Sequence, residues 1–330
     1  MSKKNKILIL GKGRIGEGVE YYLKKTIPSL RIGFFSREKE IRGAKFLISA
    51  LPGQDGETAL RLALKFRKDL IDIADLDPSF YLKNQKRIKA RQIRVFPECG
   101  FSPGLTNLIC GYESFSNKIK KIEILAGSLS KAKFFFPFLW CLEDLIEGHK
   151  IKANFIQSGK RIFVPPFSGL QREKINGLEA ESYFMDGLSS LPLNLRIKDM
   201  SYRVLRPFGF FYFFQFLKNQ GFLDKNNLAF TKKILEGGKS DNTTLAKINF
   251  FTEQNKISWE IRSFSRKAER FNSMQKATCV LPAILAKFLL EKRIKDKGLL
   301  FLERIGEDKK LFREILSEIK KEKILIIRKQ

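Results

Sequence analysis

One histidine, His149, and four cysteines, Cys99, Cys110, Cys141 and Cys279, are all that the 330-residue chain offers a soft metal, and no two cysteines form a Cys-x-x-Cys pair. A tetrahedral zinc site needs four such ligands at close spacing, so no metal site is expected. Isolated thiols fit a reducing compartment. Long apolar runs are also missing. Ile7–Leu10 is too short for the apolar region of a signal peptide and gives way to glycine. The aromatic stretch 208–217 is interrupted by Gly209 and Gln215 and is too short to span a bilayer. A cytoplasmic protein with no membrane insertion is the expectation. Acidic residues are scarce: 35 Asp and Glu against 63 Lys and Arg leave a formal net charge of +28. The basic residues are spread along the chain instead of forming one arm. They are read as a solvated surface with no specific nucleic-acid partner; a basic face for nucleic acid or anionic lipid is the competing reading. Phosphate-bearing ligands meet a favourable field either way.

What is present is enough apolar surface for two domains: the composition is 43% hydrophobic, which excludes a disordered chain. Ile7–Leu10 reads as a strand covered on both faces. A helix follows from about Ile15 to Lys25, closed by Pro28. Further strands are expected at 31–35, 45–50, 70–74 and 93–96, with a helix near 57–66. That alternation predicts an α/β, Rossmann-type doubly wound parallel sheet. After Gly104 the pattern becomes alternating, at 121–126, 151–156, 160–164, 201–205 and 257–264. This predicts a second, α+β domain built mainly on antiparallel sheet. Helical periodicity returns at 277–290, where Pro282 is expected to kink the helix, and at 309–320; a last strand is expected at 323–327. The organisation read from the sequence is 1–105 for dinucleotide binding, 106–272 for substrate and dimerisation, and 273–330 as helices returning to the first domain.

Gly11-Lys12-Gly13-Arg14-Ile15-Gly16 follows the first strand and opens the first helix, the setting in which a Gly-x-Gly-x-x-Gly run carries weight. Gly11 permits the tight turn, Gly13 lets a pyrophosphate approach the backbone, and Gly16 allows close helix–strand packing. The amides of Arg14 and Ile15 add free N–H groups and the positive end of the helix dipole. About twenty residues on, Ser36 and Arg37 stand where an NAD enzyme has a carboxylate for the ribose. Ser36 can hydrogen-bond a 2′-phosphate and Arg37 can pair with it, which favours NADP(H); Glu38, next in line, leaves NAD open. Ala50, Leu51 and Pro52 are expected along the nicotinamide side.

Pro97-Glu98-Cys99-Gly100-Phe101-Ser102-Pro103-Gly104-Leu105-Thr106-Asn107 resembles a Gly-x-x-Pro-Gly-x-x-Asn segment of the saccharopine dehydrogenase family. The stretch 137–147 resembles another segment of the family, and 168–170, 178–180, 186–191, 205–209 and 273–278 are similar to the lysine 6-dehydrogenase branch in order and spacing. The resemblance covers nearly the whole chain. It implies a Rossmann domain with an inserted α+β domain, a homodimer or higher oligomer, and hydride exchange between NAD(P) and an amine-bearing carbon of an amino acid such as lysine or saccharopine. Four positions depart from the pattern. Phe210 stands in place of a histidine, Ser102 in place of the Asp of Asp-Pro-Gly, Cys141 in place of a serine after tryptophan, and His149 in place of an aromatic residue.

Amine oxidation needs a group that takes one proton. Cys99 and Asp186 are the candidate catalytic residues; Asn107, Trp140 and Arg206 are candidates for substrate contact. Cys99 follows a strand end, where ligands gather in open α/β sheets. Bland roles compete at each position: a small apolar residue for Cys99, a helix cap for Asn107, a turn residue for Asp186, core packing for Trp140, an ion pair for Arg206 and packing for His149. The alternative for the whole chain is a catalytically divergent dinucleotide-binding or regulatory protein of the same fold.

Overall fold

The computed structural model describes residues 6–74, 76–131, 142–237 and 239–330; Trp140 and Cys141 lie outside the described residues. The chain divides into two compact units. The first comprises the chain to Ser116, Ser189–Asn194 and Gln275–Lys323; the second comprises Asn117–Leu188, Leu195–Met274 and Ile324–Gln330.

The first unit is built on β1 (Lys6–Leu10), β2 (Arg31–Phe34), β3 (Ala44–Ser49), β4 (Asp69–Asp72) and β5 (Arg94–Phe96), all parallel and joined by helices. Strand order is β5-β4-β3-β1-β2, with the two-residue strand Gly298–Leu299 added beside β5. The order reverses on either side of β1, which makes the β1/β3 crevice the topological switch point of the sheet. The strands are continuous apolar runs because both faces are covered: Ile7, Leu8, Ile9, Leu47, Ile48, Leu70, Ile71 and Val95 have no exposed surface. Connecting helices are α1 (Arg14–Thr26), α2 (Lys39–Arg42), α3 (Gly56–Phe66), α4 (Pro78–Lys83) and α5 (Gln85–Arg91).

The joins differ from the sequence boundaries at both ends of the second domain. α6 (Leu105–Ser116) belongs to the first unit, not the second. It packs backbone to backbone on the helix Leu302–Gly306: a Cβ on Gly111 would lie 1.9 Å from the Glu303 carbonyl oxygen, and one on Gly306 would lie 2.2 Å from that of Leu108. Only glycine allows that approach. The last strand, Leu325–Lys329, leaves the helices before it and pairs with the second unit's sheet instead. The helix Ser273–Leu290 is long and apolar enough to cross a membrane. Its apolar side chains are spent on the core: Ala277, Val280, Leu281, Ile284, Leu285 and Phe288 are buried. The helix runs through Pro282 as one continuous element.

The second unit has one mixed sheet. Its strands are β6 (Lys121–Ser130), β7 (Ala153–Gln157), β8 (Lys160–Val164), β9 (Gln171–Ile175), β10 (Leu178–Phe184), β11 (Asp199–Pro207), β12 (Asn242–Phe251) and β13 (Lys256–Ser265), together with Leu325–Lys329. The main path runs from Leu325–Lys329 through β13, β12, β6, β11 and β10 to β9, with the β7–β8 hairpin attached to β11. β6 and β11 pair in parallel; the other pairs are antiparallel.

Candidate functional site

The site-forming features of the first unit line the carboxyl edge of its parallel sheet. Three backbone hydrogen bonds tie together the loops that leave the strands: Ala50 N donates to Leu10 O at 2.8 Å, Ile73 N to Ser49 O at 3.0 Å, and Cys99 N to Asp72 O at 2.8 Å. They set the glycine turn, the start of the Ala50-Leu51-Pro52 loop and Cys99 in one row.

The glycine turn has the geometry its sequence predicts. Gly11 has φ +97°, and a Cβ there would meet the Ala50 carbonyl oxygen at 2.5 Å; a Cβ on Gly16 would meet the Gly11 carbonyl oxygen at 2.0 Å. Gly13 is different: a Cβ there has no neighbour within 4 Å. Gly13 is also the N-cap of α1, and no side chain caps it. Two of the glycines therefore close the turn and the third leaves bare backbone in open space at a helix N-terminus, a fit for a diphosphate. The helix Ser273–Leu290 supports this turn from behind. Gln275 Nε2 donates to Arg14 O at 3.1 Å and the Cys279 thiol to Ile15 O at 3.4 Å. The sequence marked 273–278 only as a family-like segment, so this support was not foreseen.

At the end of β2 the structure adds a residue that the sequence reading did not weigh. Both donors of Ser36 turn to Glu40: the hydroxyl donates to Oε1 at 2.9 Å and the backbone N–H to Oε2 at 3.2 Å. Those hydrogen bonds hold the Glu40 carboxyl below its ordinary range. Glu38 pairs with Lys65 at 2.5 Å, and Arg37 is exposed.

Cys99 sits in that row with no exposed surface. Its thiol donates to Phe96 O at 3.3 Å, and burial, with the charges of Asp72 and Glu98 adding, pushes it well above the ordinary thiol range. It is therefore a protonated, packed thiol at neutral pH. Glu98, beside it, is the functional candidate that sequence reasoning missed. Its backbone is left-handed, with φ +58°, and its carboxylate is buried. It accepts hydrogen bonds from the hydroxyls of Ser189 and Ser190, the latter at 2.5 Å. Asn107 is buried too; its Oδ1 accepts from Gly104 N at 3.2 Å and its Nδ2 donates to Ser190 Oγ at 3.2 Å. Both ends of its amide are thus bound within the protein, where they cap α6 and hold the Ser189–Asn194 segment. Asn194 Nδ2 donates to Glu303 Oε1 at 2.6 Å, and burial raises the Glu303 carboxyl. Asp72, the last residue of β4, accepts from Ala74 N at 3.0 Å and from Tyr81 Oη at 2.8 Å. Its complete burial pushes it up to about 6.

Asp186 and Arg206 belong to the second unit. Asp186 is exposed and accepts from Asn154 Nδ2 at 2.8 Å. Arg206 is buried, lies opposite Glu181 in the β10–β11 register, and has its guanidinium 5.2 Å from the Phe210 ring centroid. Glu181 accepts from the N–H groups of Gly209 at 2.9 Å and Phe211 at 2.5 Å, at the start of the helix Phe210–Asn219. His149 is buried beside them. Its Nδ1 is 2.6 Å from Leu145 O and its Nε2 is 2.6 Å from Tyr183 Oη. A carbonyl only accepts, so Nδ1 carries the proton and Nε2 accepts from the tyrosine. Burial, reinforced by the Arg206 charge, lowers the imidazole to about 3. Among the described residues, no group of three or more His, Cys, Asp or Glu could hold a metal.

The saccharopine dehydrogenase C-terminal domain matches residues 100–325, more than half of the chain. The chain belongs to the saccharopine dehydrogenase family. Among solved structures it is similar to apo saccharopine dehydrogenase (L-Glu forming) from Saccharomyces cerevisiae, at 14% identity and a TM-score of 0.76 over 98% of this chain and 99% of that one. It is also similar to an engineered D-amino acid dehydrogenase bound to NADP+ (12% identity, TM-score 0.51, 95% of this chain and 99% of that one). A third similar structure is the DAP dehydrogenase of C. glutamicum in complex with DAP (10%, 0.50, 96% and 99%). At these identities the structural likeness establishes the fold: a Rossmann-type parallel sheet with a second, mixed-sheet unit.

Proposed function

We propose that this member of the saccharopine dehydrogenase family is a nicotinamide-dinucleotide-dependent oxidoreductase. It exchanges hydride between the cofactor and the amine-bearing carbon of an amino acid: lysine, saccharopine or a related imine adduct. The observation that carries the proposal is the turn at the switch point, with Gly13 bare and open between two glycines too crowded for any side chain. Dehydrogenase activity toward amino acids in the proteins of similar structure supports the same reading. Gly11, Gly13, Arg14, Ile15 and Gly16 would hold the diphosphate, and Ala50, Leu51 and Pro52 would border the nicotinamide side. When bound, the nicotinamide gives or takes the hydride.

The protein's own part is to orient the substrate and hold a proton. Cys99, proposed from the sequence for the second task, is unsuited to it because its thiol stays protonated and packed. Glu98, one residue before it on the same edge, presents a buried carboxylate fixed by two serine hydroxyls and is the better candidate for the proton. Asp186 and Arg206 remain candidates for the substrate's charged ends. Arg206 has a structural role as well, packed on the Phe210 ring.

Fluorescence titration with NADH and NADPH, followed by steady-state assays with lysine, saccharopine and carboxynorspermidine, tests the proposal. Binding of one dinucleotide and turnover of one amine is the expected result. Binding without turnover of any amine would instead support the divergent, non-catalytic reading, which the buried Cys99 thiol and Phe210 in place of histidine favour. Silence toward both dinucleotides would remove both readings.

A further inference from the structure

We infer that Glu40 sets the cofactor choice: its carboxylate stands in the seat of a 2′-phosphate and selects the dinucleotide that lacks one, NAD(H). The inference rests on the dinucleotide reading above and concerns only the adenosine end of that ligand.

The end of β2 is where a Rossmann sheet meets the adenosine ribose. A phosphate bound there takes its hydrogen bonds from the first donors after the strand, which in this chain are the N–H and hydroxyl of Ser36. Both already point at a single carboxylate, Glu40, at 3.2 and 2.9 Å. Carboxylate and phosphate oxygens are acceptors only, so they cannot share those two donors, and side by side they repel. A ribose 2′-hydroxyl is both donor and acceptor; it can donate to Glu40 and leave the Ser36 contacts in place. The second carboxylate of the loop, Glu38, is occupied by Lys65.

The cations nearby do not reverse this. Arg37 is exposed and makes no ion pair among the described residues, so its guanidinium is available to stack on adenine in either dinucleotide. Lys6 is close enough to help keep Glu40 ionised. On this inference Glu40, folded back onto Ser36 by α2, outweighs the preference for NADP(H) that Ser36 and Arg37 imply in the sequence.

The experiment is a pair of fluorescence titrations, NADH and NADPH, on the wild-type chain and on Glu40→Gln, with adenosine 2′,5′-bisphosphate as a competitor. Glutamine keeps the size of the side chain, removes the charge and adds a donor for phosphate. The wild type is expected to bind NADH at least tenfold more tightly than NADPH. Glu40→Gln should shift that ratio toward NADPH by about tenfold, strengthen competition by the bisphosphate, and leave the unfolding midpoint unchanged. Glu40→Ala should move the ratio in the same direction. Tighter NADPH than NADH binding by the wild type, or an unchanged ratio in both variants, overturns the inference while leaving dinucleotide binding intact. Failure of the wild type to bind either dinucleotide is the separate outcome that defeats the parent reading.

Discussion

His149 and Phe210 lie ring to ring, with centroids 5.6 Å apart. They are also two of the positions at which the sequence resemblance implies a departure from the family pattern: a histidine where an aromatic ring is expected, and a phenylalanine where a histidine is expected. The two positions therefore touch, and the pair keeps one imidazole and one benzene ring. We predict that the exchange is compensatory. His149→Phe removes the acceptor of the Tyr183 hydroxyl proton, while the oxygen keeps its hydrogen bond with Arg206, and should cost about 1–3 kcal/mol. Phe210→His buries a second imidazole and should cost a similar amount. The double exchange should recover part of the loss, with a coupling of at least about 0.5 kcal/mol in urea unfolding. Strict additivity would mean that the two sites are independent.

The one histidine also gives a clean spectroscopic readout. A single imidazole signal is expected in the NMR spectrum of a ¹³C-histidine-labelled sample, with Nδ1 protonated and no titration between pH 8 and 5. The folded value of about 3 lies below the ordinary 6.5. The unfolded chain therefore binds the extra proton first. The associated stability is full above pH 6.5 and is lost as pH falls toward 3, by about 1.4 kcal/mol per pH unit. A signal that titrates near 6.5 would place His149 in water.

Asp72 behaves in the opposite sense. Its folded value is raised from 3.8 to about 6, so the folded protein holds this proton more tightly than the unfolded chain. Its contribution is full below about pH 4 and is lost as pH rises through 6, again by about 1.4 kcal/mol per unit. Asp72→Asn, which stays neutral, should remove that slope from the pH dependence of unfolding. A slope that persists unchanged in the variant would locate it in another carboxyl.

Much of the first unit was legible in the sequence because its strands are buried on both faces and so read as apolar runs ended by glycine or proline. β9, at the edge of the second sheet, was not. Gln171, Arg172, Glu173 and Lys174 carry no apolar–polar alternation, and all but Glu173 are exposed. The helix Phe210–Asn219 shows no helical periodicity in its sequence, because aromatic residues occupy its buried and exposed faces alike. The site divides in the same way. The glycine turn is a local pattern, and its geometry followed from spacing. Glu98 depends on Ser189 and Ser190, some ninety residues away, and its importance arises only when the chain folds. Glu40 is local, but its fold-back onto Ser36 depends on where α2 begins, which no periodicity announces in a four-residue helix.

For the proton, Glu98→Gln separates the candidates. It keeps an acceptor for the serine hydroxyls and removes the carboxylate. We expect dinucleotide binding to be retained and kcat to fall by roughly a hundredfold. Cys99→Ala should change kcat little. The reverse ordering would return the proton to the thiol.

Gly13→Ala in a dinucleotide titration bears most directly on the central proposal, that the turn after β1 grips a diphosphate. The backbone there has φ −82° and open space around the missing side chain, so alanine fits the folded protein. Gly16→Ala is the contrast, because its Cβ would collide with the Gly11 carbonyl and should destabilise the fold by about 1–3 kcal/mol. The expected result is a Gly13→Ala protein with wild-type unfolding and at least tenfold weaker NADH binding. Wild-type affinity in that variant would contradict the proposal, because a methyl group would then stand unnoticed where the phosphates are said to lie.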